Sequence, residues 1–178
     1  MSIEPQHIQV IVHDFLQQHP AASTHLTPLM SLLAAGGEVT SRHHRPGHVT
    51  CSAAVLDPDD NVLMIKHNIL NRWLLPGGHC EEHDTTLLDA ALRELTEETG
   101  LLPEQLSPSL EWEHAVIDID LHNVPANPSR NEPAHWHADF RHMFRVDARI
   151  DIDLQLEEVS AAAWRPMPDT WLSRYLCP

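Results

Sequence analysis

A chain of 178 residues is long enough for one domain with a real core, or for a core and a small appendage. Acidic residues outnumber basic ones by 26 to 11, a formal charge of −15, which argues against a protein that grips duplex nucleic acid or an anionic membrane with lysine and arginine. Its three cysteines (Cys51, Cys80 and Cys177) form no CxxC pair, no apolar run approaches a membrane span and no secretory signal is visible, so a cytoplasmic protein without a disulfide framework is expected.

In chain order, the first predicted element is a helix over residues 3–19, where Ile8, Ile11, Val12, Phe15 and Leu16 recur at helical spacing ahead of Pro20. A second helix runs from Thr27, as its cap, through Ala35, with Pro28 in the first turn and Gly36-Gly37 as the stop. A short helix cannot bury such a stripe alone, so residues 1–45 read as a helical N-terminal extension that packs on residues 46–178. After a polar linker, Ser41 to Pro46, strands are expected at Thr50–Leu56 and Val62–Ile65 around an Asp57–Asn61 turn. Trp73–Leu75 is a third strand, halted by Pro76-Gly77-Gly78. Thr86 to Thr99 is the clearest helix, with Leu88, Ala91, Leu92, Leu95 and Thr99 along one face and Gly100 as its stop. Strands around 112–121, 134–146 and 159–166 and a short helix over 168–176 complete an α+β reading.

Across from that apolar stripe, Glu94, Glu97 and Glu98 stand at i, i+3 and i+4, so three carboxylates converge within one turn. Like charges so placed destabilise a helix by roughly 0.2–0.5 kcal/mol per pair. Taken alone, the pattern fits a solvated acidic face or a cation site. An all-oxygen set suits Mg²⁺ or Mn²⁺, and a cation would let so acidic a protein take an anionic substrate.

The segment Arg93-Glu94-Leu95-Thr96-Glu97-Glu98-Thr99-Gly100-Leu101 resembles the signature of the Nudix hydrolase family, Arg-Glu-apolar-x-Glu-Glu-x-Gly-apolar, at every specified position. Gly77-Gly78 supplies the loop that precedes the family's helix, where backbone can approach a ligand closely. One departure stands out. Counting back from Arg93, the family's upstream glutamate falls at Thr85; counting forward from Gly78, it falls at Asp84, as if one loop residue were inserted and aspartate replaced glutamate. The resemblance covers residues 46 to about 166 well and the first 45 loosely, in the manner of a bacterial subgroup with a helical extension.

The resemblance implies an α/β/α sandwich with a mixed sheet, and Mg²⁺- or Mn²⁺-dependent hydrolysis of a phosphoanhydride in a nucleoside diphosphate linked to another moiety. Glu94, Glu97, Glu98 and the Gly77 carbonyl would hold the metal, Glu94 or Glu97 would orient or deprotonate water, and Arg93 would hold a glutamate in place. The partner would be a small nucleotide or diphosphate, with neither duplex nucleic acid nor membrane; oligomeric state is not legible. Arg72 fits a phosphate contact or a solvated surface, and Trp73 the core or a stacking platform. Cys80 reads as a bystander thiol, and Glu157 and Glu158 compete with Glu132 for an additional metal-site carboxylate.

Three other readings compete. An isoprenoid-diphosphate isomerase shares the fold, but its catalytic cysteine would fall at Gly77. A nucleotide-sensing module need not keep a repelling carboxylate cluster. A zinc protein is suggested by fifteen histidines, without any HExxH pair to support it. Finally, His135, His137, Asp139, Arg141 and Arg145 share one parity along 134–146, and Trp136, Ala138, Phe140, Phe144 and Val146 the other. The polar side fits either a solvated outer face or a cleft wall, with Arg141 or Arg145 meeting phosphate and His137 donating a hydrogen bond.

Overall fold

The computed structural model describes residues 3–107, 116–128 and 131–166. Helix α1 spans Pro5–Gln18 and buries Ile8, Val12 and Phe15. Helix α2 spans Thr27–Ala35 and buries Leu29, Leu32 and Leu33. The Gln9 side-chain amide donates to the Leu33 carbonyl at 3.0 Å and ties the two helices together. Thr27 does not act as the expected cap. It sits inside the first turn, and its hydroxyl donates backward to the Ser23 carbonyl at 3.2 Å, so it accepts no amide of the new helix.

Strand β1, Gly47–Leu56, is buried along its whole length because it has neighbours on both edges and on both faces. It runs parallel to β6, His135–Arg145, in continuous register from Gly47↔Trp136 to Leu56↔Arg145. The remaining pairings are antiparallel: β2 (Asn61–His67) with β1, β3 (Arg72–Leu74) and β7 (Val159–Pro166), and β5 (Val116–Val124) with β6. The outcome is a seven-stranded mixed sheet in an α+β fold.

Pro76-Gly77-Gly78 does not end strand structure as expected. Gly77–His79 re-enters the sheet as β4, antiparallel to β1 with Ser52↔Gly77, Cys51↔Gly78 and Thr50↔His79. The reason is room. A Cβ at Gly77 would lie 2.4 Å from the Cys51 carbonyl oxygen. Neither glycine has positive φ, so close approach, and not an unusual turn, is what the pair provides.

Alternate residues of the sheet (Val49, Cys51, Ala138, Phe140 and Ile119) share one core with Leu87, Ala90 and Ala91 of helix α3, Leu87–Thr99. Ile8, Val12, Phe15, Leu29 and Leu33 belong to that same cluster, so the N-terminal helices and the sheet have a common interior. A smaller cluster of Ala54, Leu56, Val62, Leu75, Ile117 and Met143 packs elsewhere on the sheet. The expected strand start at 112–115 and the expected helix over 168–176 lie outside the described residues.

Because Ile8 is fully buried in the shared cluster, Ile8→Ala should cost about 2–5 kcal/mol, read by denaturant or thermal unfolding. A chain beginning at Pro46 should melt lower or aggregate; an unchanged melting temperature there would show that the extension contributes nothing to the fold.

Candidate active site

Helix α3 is fixed at both ends. The Thr86 hydroxyl accepts from the Asp89 amide at 3.0 Å, and Gly100 closes the helix in the left-handed region at φ 69°. The buried face comprises Leu87, Ala90, Ala91, Leu95, Glu98 and Thr99. This corrects the expected geometry, since Leu88 and Leu92 are only half-buried and Glu98 faces inward with the apolar residues. A carboxylate is tolerated there because β4 brings it a partner: the Gly77 amide donates to Glu98 Oε2 at 2.9 Å.

Glu94 lies against the same strand. A Cβ at Gly78 would fall 2.5 Å from Glu94 Oε1, so any larger residue would displace that carboxylate. Glu97, one turn from Arg93, is exposed. Burial pushes the Glu98 carboxyl up to about 8, against the pull of the Gly77 amide, and the charges of Glu94, Glu158 and Glu97 add to the rise. Burial likewise raises Glu94 to about 6, with Arg93 opposing and Glu97 and Glu158 reinforcing. Glu158 therefore stands close enough to share the site's charge. Glu132, its competitor, pairs instead with Arg42 at 3.3 Å.

Arg93 is the hub. Its Nε and Nη2 donate to the two Asp84 oxygens at 3.1 and 3.0 Å, Nη2 also donates to the His79 carbonyl at 2.8 Å, and Nη1 donates to Glu94 Oε1 and Glu97 Oε2 at 3.0 Å each. Burial alone would weaken its hold on a proton, but the Asp84 and Glu94 carboxylates more than offset that, so the guanidinium stays charged. Asp84, 2 % exposed, is an anchor that also accepts from the Glu81 amide at 2.7 Å. The shorter side chain at the departure position thus grips the arginine that positions the glutamates, an arrangement no spacing rule reveals.

The donor set is all oxygen: Glu98 is buried and Glu94 half-buried, burial raises the proton affinity of both, and Glu97 is exposed beside them. Glu94, Glu98, Glu97 and the Gly77 carbonyl therefore fit a hard divalent cation such as Mg²⁺ or Mn²⁺. Cys51 and Cys80, which their spacing kept apart, bring their sulfurs to 3.8 Å across the β1–β4 pair. Arg72 is exposed at the start of β3. Trp73 lies under the Arg165 guanidinium, 3.8 Å from the ring centroid.

The polar side of β6 is not a wet face. Asp139 is 7 % exposed and accepts from Ser52 at 2.8 Å and Thr50 at 3.2 Å. Arg141, expected to meet phosphate, donates to Asp139, Asp118 and Asp120 at 3.2, 2.9 and 2.8 Å. His137 lies among other imidazoles, and burial drops its pKa to about 2, so it is uncharged. Arg145 pairs with Asp60 at 2.8 Å. The parity was legible; the partners across the strands, which turn this side into a packed polar layer, were not.

Glu98 gives the metal-free protein a pH signature. Between about pH 4.5, where an unfolded glutamate titrates, and about 8, the folded chain holds a proton that the unfolded chain has lost. Metal-free stability should therefore fall as pH rises through that window, and Glu98→Gln should flatten the fall; a parallel pH–melting profile in the variant would refute the buried assignment. Arg141→Ala should destabilise by on the order of 3 kcal/mol, because it strands three aspartates, two of them buried.

The family model "NUDIX domain" matches residues 46–175. A curated relative, "Probable DHNTP pyrophosphohydrolase" of Lactococcus lactis subsp. cremoris (strain MG1363), is 31 % identical over 96 residues, covering 54 % of this chain and 53 % of that protein. The chain thus spans about half the length of the curated relative it matches. Among solved structures, the C. elegans Ap4A hydrolase binary complex is similar with a TM-score of 0.53 at 15 % identity, covering 71 % of this chain and 84 % of that one. The E. coli dihydroneopterin triphosphate pyrophosphohydrolase gives 0.51 at 18 % identity, covering 74 % and 86 %. At such identities the likeness is one of fold. The family match spans most of the chain and includes the Gly77-Gly78 strand, Arg93 and all three glutamates, and the chain belongs to the Nudix family.

Proposed function

We propose that this protein hydrolyses a phosphoanhydride bond in a nucleoside diphosphate linked to another moiety, using Mg²⁺ or Mn²⁺ held by Glu94, Glu97, Glu98 and the Gly77 carbonyl. The observation that carries the reading is the pair of carboxylates, half-buried Glu94 and buried Glu98, set against Gly77-Gly78 and braced by an arginine that is itself anchored on Asp84. When bound, the ion neutralises phosphate oxygens and activates water. Glu94, desolvated and with raised proton affinity, is suited to take the proton of the attacking water; Glu97, more exposed, is the alternative. Arg93 positions both.

Arg72 is the phosphate-facing candidate, being exposed and at the start of β3 in the site's own sheet. Arg141 is not assigned such a contact, because its guanidinium is already committed to three carboxylates. His137 is likewise better read with its neighbouring imidazoles than as a donor to substrate. A cytoplasmic setting suits the unbridged thiols of Cys51 and Cys80. The isomerase reading is disfavoured because a cysteine at 77 would drive its Cβ into the Cys51 carbonyl.

A phosphate-release panel should include nucleoside triphosphates, dinucleoside polyphosphates, ADP-ribose, sugar nucleotides and, following the curated relative's name, dihydroneopterin triphosphate, each with Mg²⁺ and Mn²⁺ separately. Turnover of a nucleoside diphosphate derivative is expected. Glu98→Gln should lower kcat by orders of magnitude with a native circular dichroism spectrum. Nucleotide binding without turnover by the wild type would move the protein to the sensor reading.

A further inference from the structure

Of fifteen histidines, the fold gathers five onto one patch of the sheet. His48 of β1, His137 of β6 and His122 of β5 are register partners and form one row across three strands. His135 stands two residues before His137, hence on the same face, and His79 enters from β4. The His48 ring centroid lies 4.5 Å from that of His137 and 5.1 Å from those of His135 and His79.

Three features go beyond crowding. His135 Nδ1 lies 2.9 Å from the Pro133 carbonyl, which can only accept, so Nδ1 carries the proton and Nε2 presents a lone pair. Metal-ligating histidines are held in just this way by their outer nitrogen. That Nε2 is 3.1 Å from His137 Nε2, close to the ~3.3 Å edge of a tetrahedron built on Zn–N bonds of about 2.0–2.1 Å. His48 is fully buried, and neither of its ring nitrogens makes a hydrogen bond of ordinary geometry. A buried polar group left so is destabilising. One nitrogen from each of these three rings lies within 4.8 Å of the others.

An N–H···N bond between His137 and His135 would account for the short contact, but it leaves at least one His48 ring nitrogen without a partner, since the His44 backbone can engage only the other. A cation accounts for both. Burial and neighbouring histidines keep His48 at about 3 and His137 at about 2, so both rings enter the patch as neutral ligands at physiological pH.

We propose that His48, His135 and His137 form a three-imidazole site for a divalent transition ion of the Zn²⁺ type, with the His79 ring within reach of the fourth position. Nitrogen ligands suit zinc-like ions, whereas the carboxylates proposed for the α3 site suit magnesium or manganese. His79 joins them physically, since its carbonyl accepts from Arg93. The inference does not rest on the hydrolase reading.

The test is Zn²⁺ uptake by the full-length, chelator-stripped chain, measured by calorimetry and by competition with a chromophoric chelator. One Zn²⁺ per chain at micromolar affinity or tighter is expected, and Co²⁺ should give the intense visible bands of a four-coordinate ion. His135→Gln and His137→Gln should each weaken uptake at least tenfold, whereas Glu98→Gln and exposed His13→Gln should leave it unchanged. X-ray absorption on zinc-loaded wild type should show nitrogen ligation with scattering from at least three imidazoles, a measurement that needs no variant to fold. Absence of stoichiometric uptake, uptake unaltered in the His135→Gln/His137→Gln double variant, or a carboxylate- or sulfur-dominated shell would overturn the proposal.

Discussion

The constraint on which the candidate site depends is the charge at its centre. Glu98 is held among apolar residues on the inner side of α3, Glu94 lies half-buried against β4, and the protein places the permanent cation Arg93 beside them. Arg93 cannot be replaced in that role by a lysine without loss. Its planar fork makes a bidentate contact with Asp84 on one edge while Nη1 reaches Glu94 and Glu97 on another. Asp84 is what stops the guanidinium from collapsing wholly onto the glutamates. Glu158 adds its charge to that of the two glutamates.

That arrangement explains why β4 exists. A three-residue strand with two glycines contributes little packing of its own. It contributes instead the Gly77 amide to Glu98 and a bare backbone at Gly78 against which Glu94 can lie. The sheet thereby brings peptide groups to the carboxylates, and β1, buried on all sides, holds β4 rigidly enough to keep them there.

Local signals made much of this legible. Helical spacing and stop residues marked α1, α2 and α3, and the Arg-Glu-x-x-Glu-Glu run marked the chemistry, because those patterns are written within a few residues. What stayed hidden was decided by pairing between distant segments. Gly77 and Gly78 read as a strand stop because their partner, β1, lies more than twenty residues earlier. Glu98 read as an outward charge because helix periodicity cannot report an amide arriving from β4. Arg141 read as an open cation because Asp118 and Asp120 lie on β5, a strand whose register no composition rule supplies.

The sheet's polar face carries the same lesson in another chemistry. Along β6 the histidines, Asp139 and Arg141 alternate with apolar residues as a half-exposed strand would, yet Asp139 and His135 are themselves buried. Polar groups survive there only by satisfying one another: Asp139 takes two hydroxyls and a guanidinium, and Arg141 spans three aspartates. The imidazole row beside them is not closed in this way: each neutral ring brings one N–H and one lone pair, the His135 N–H is taken by the Pro133 carbonyl so that its lone pair faces the row, and neither His48 nitrogen makes a hydrogen bond of ordinary geometry. The Asp–Arg half of the layer closes within the chain, whereas the histidine half calls for a cation from outside it.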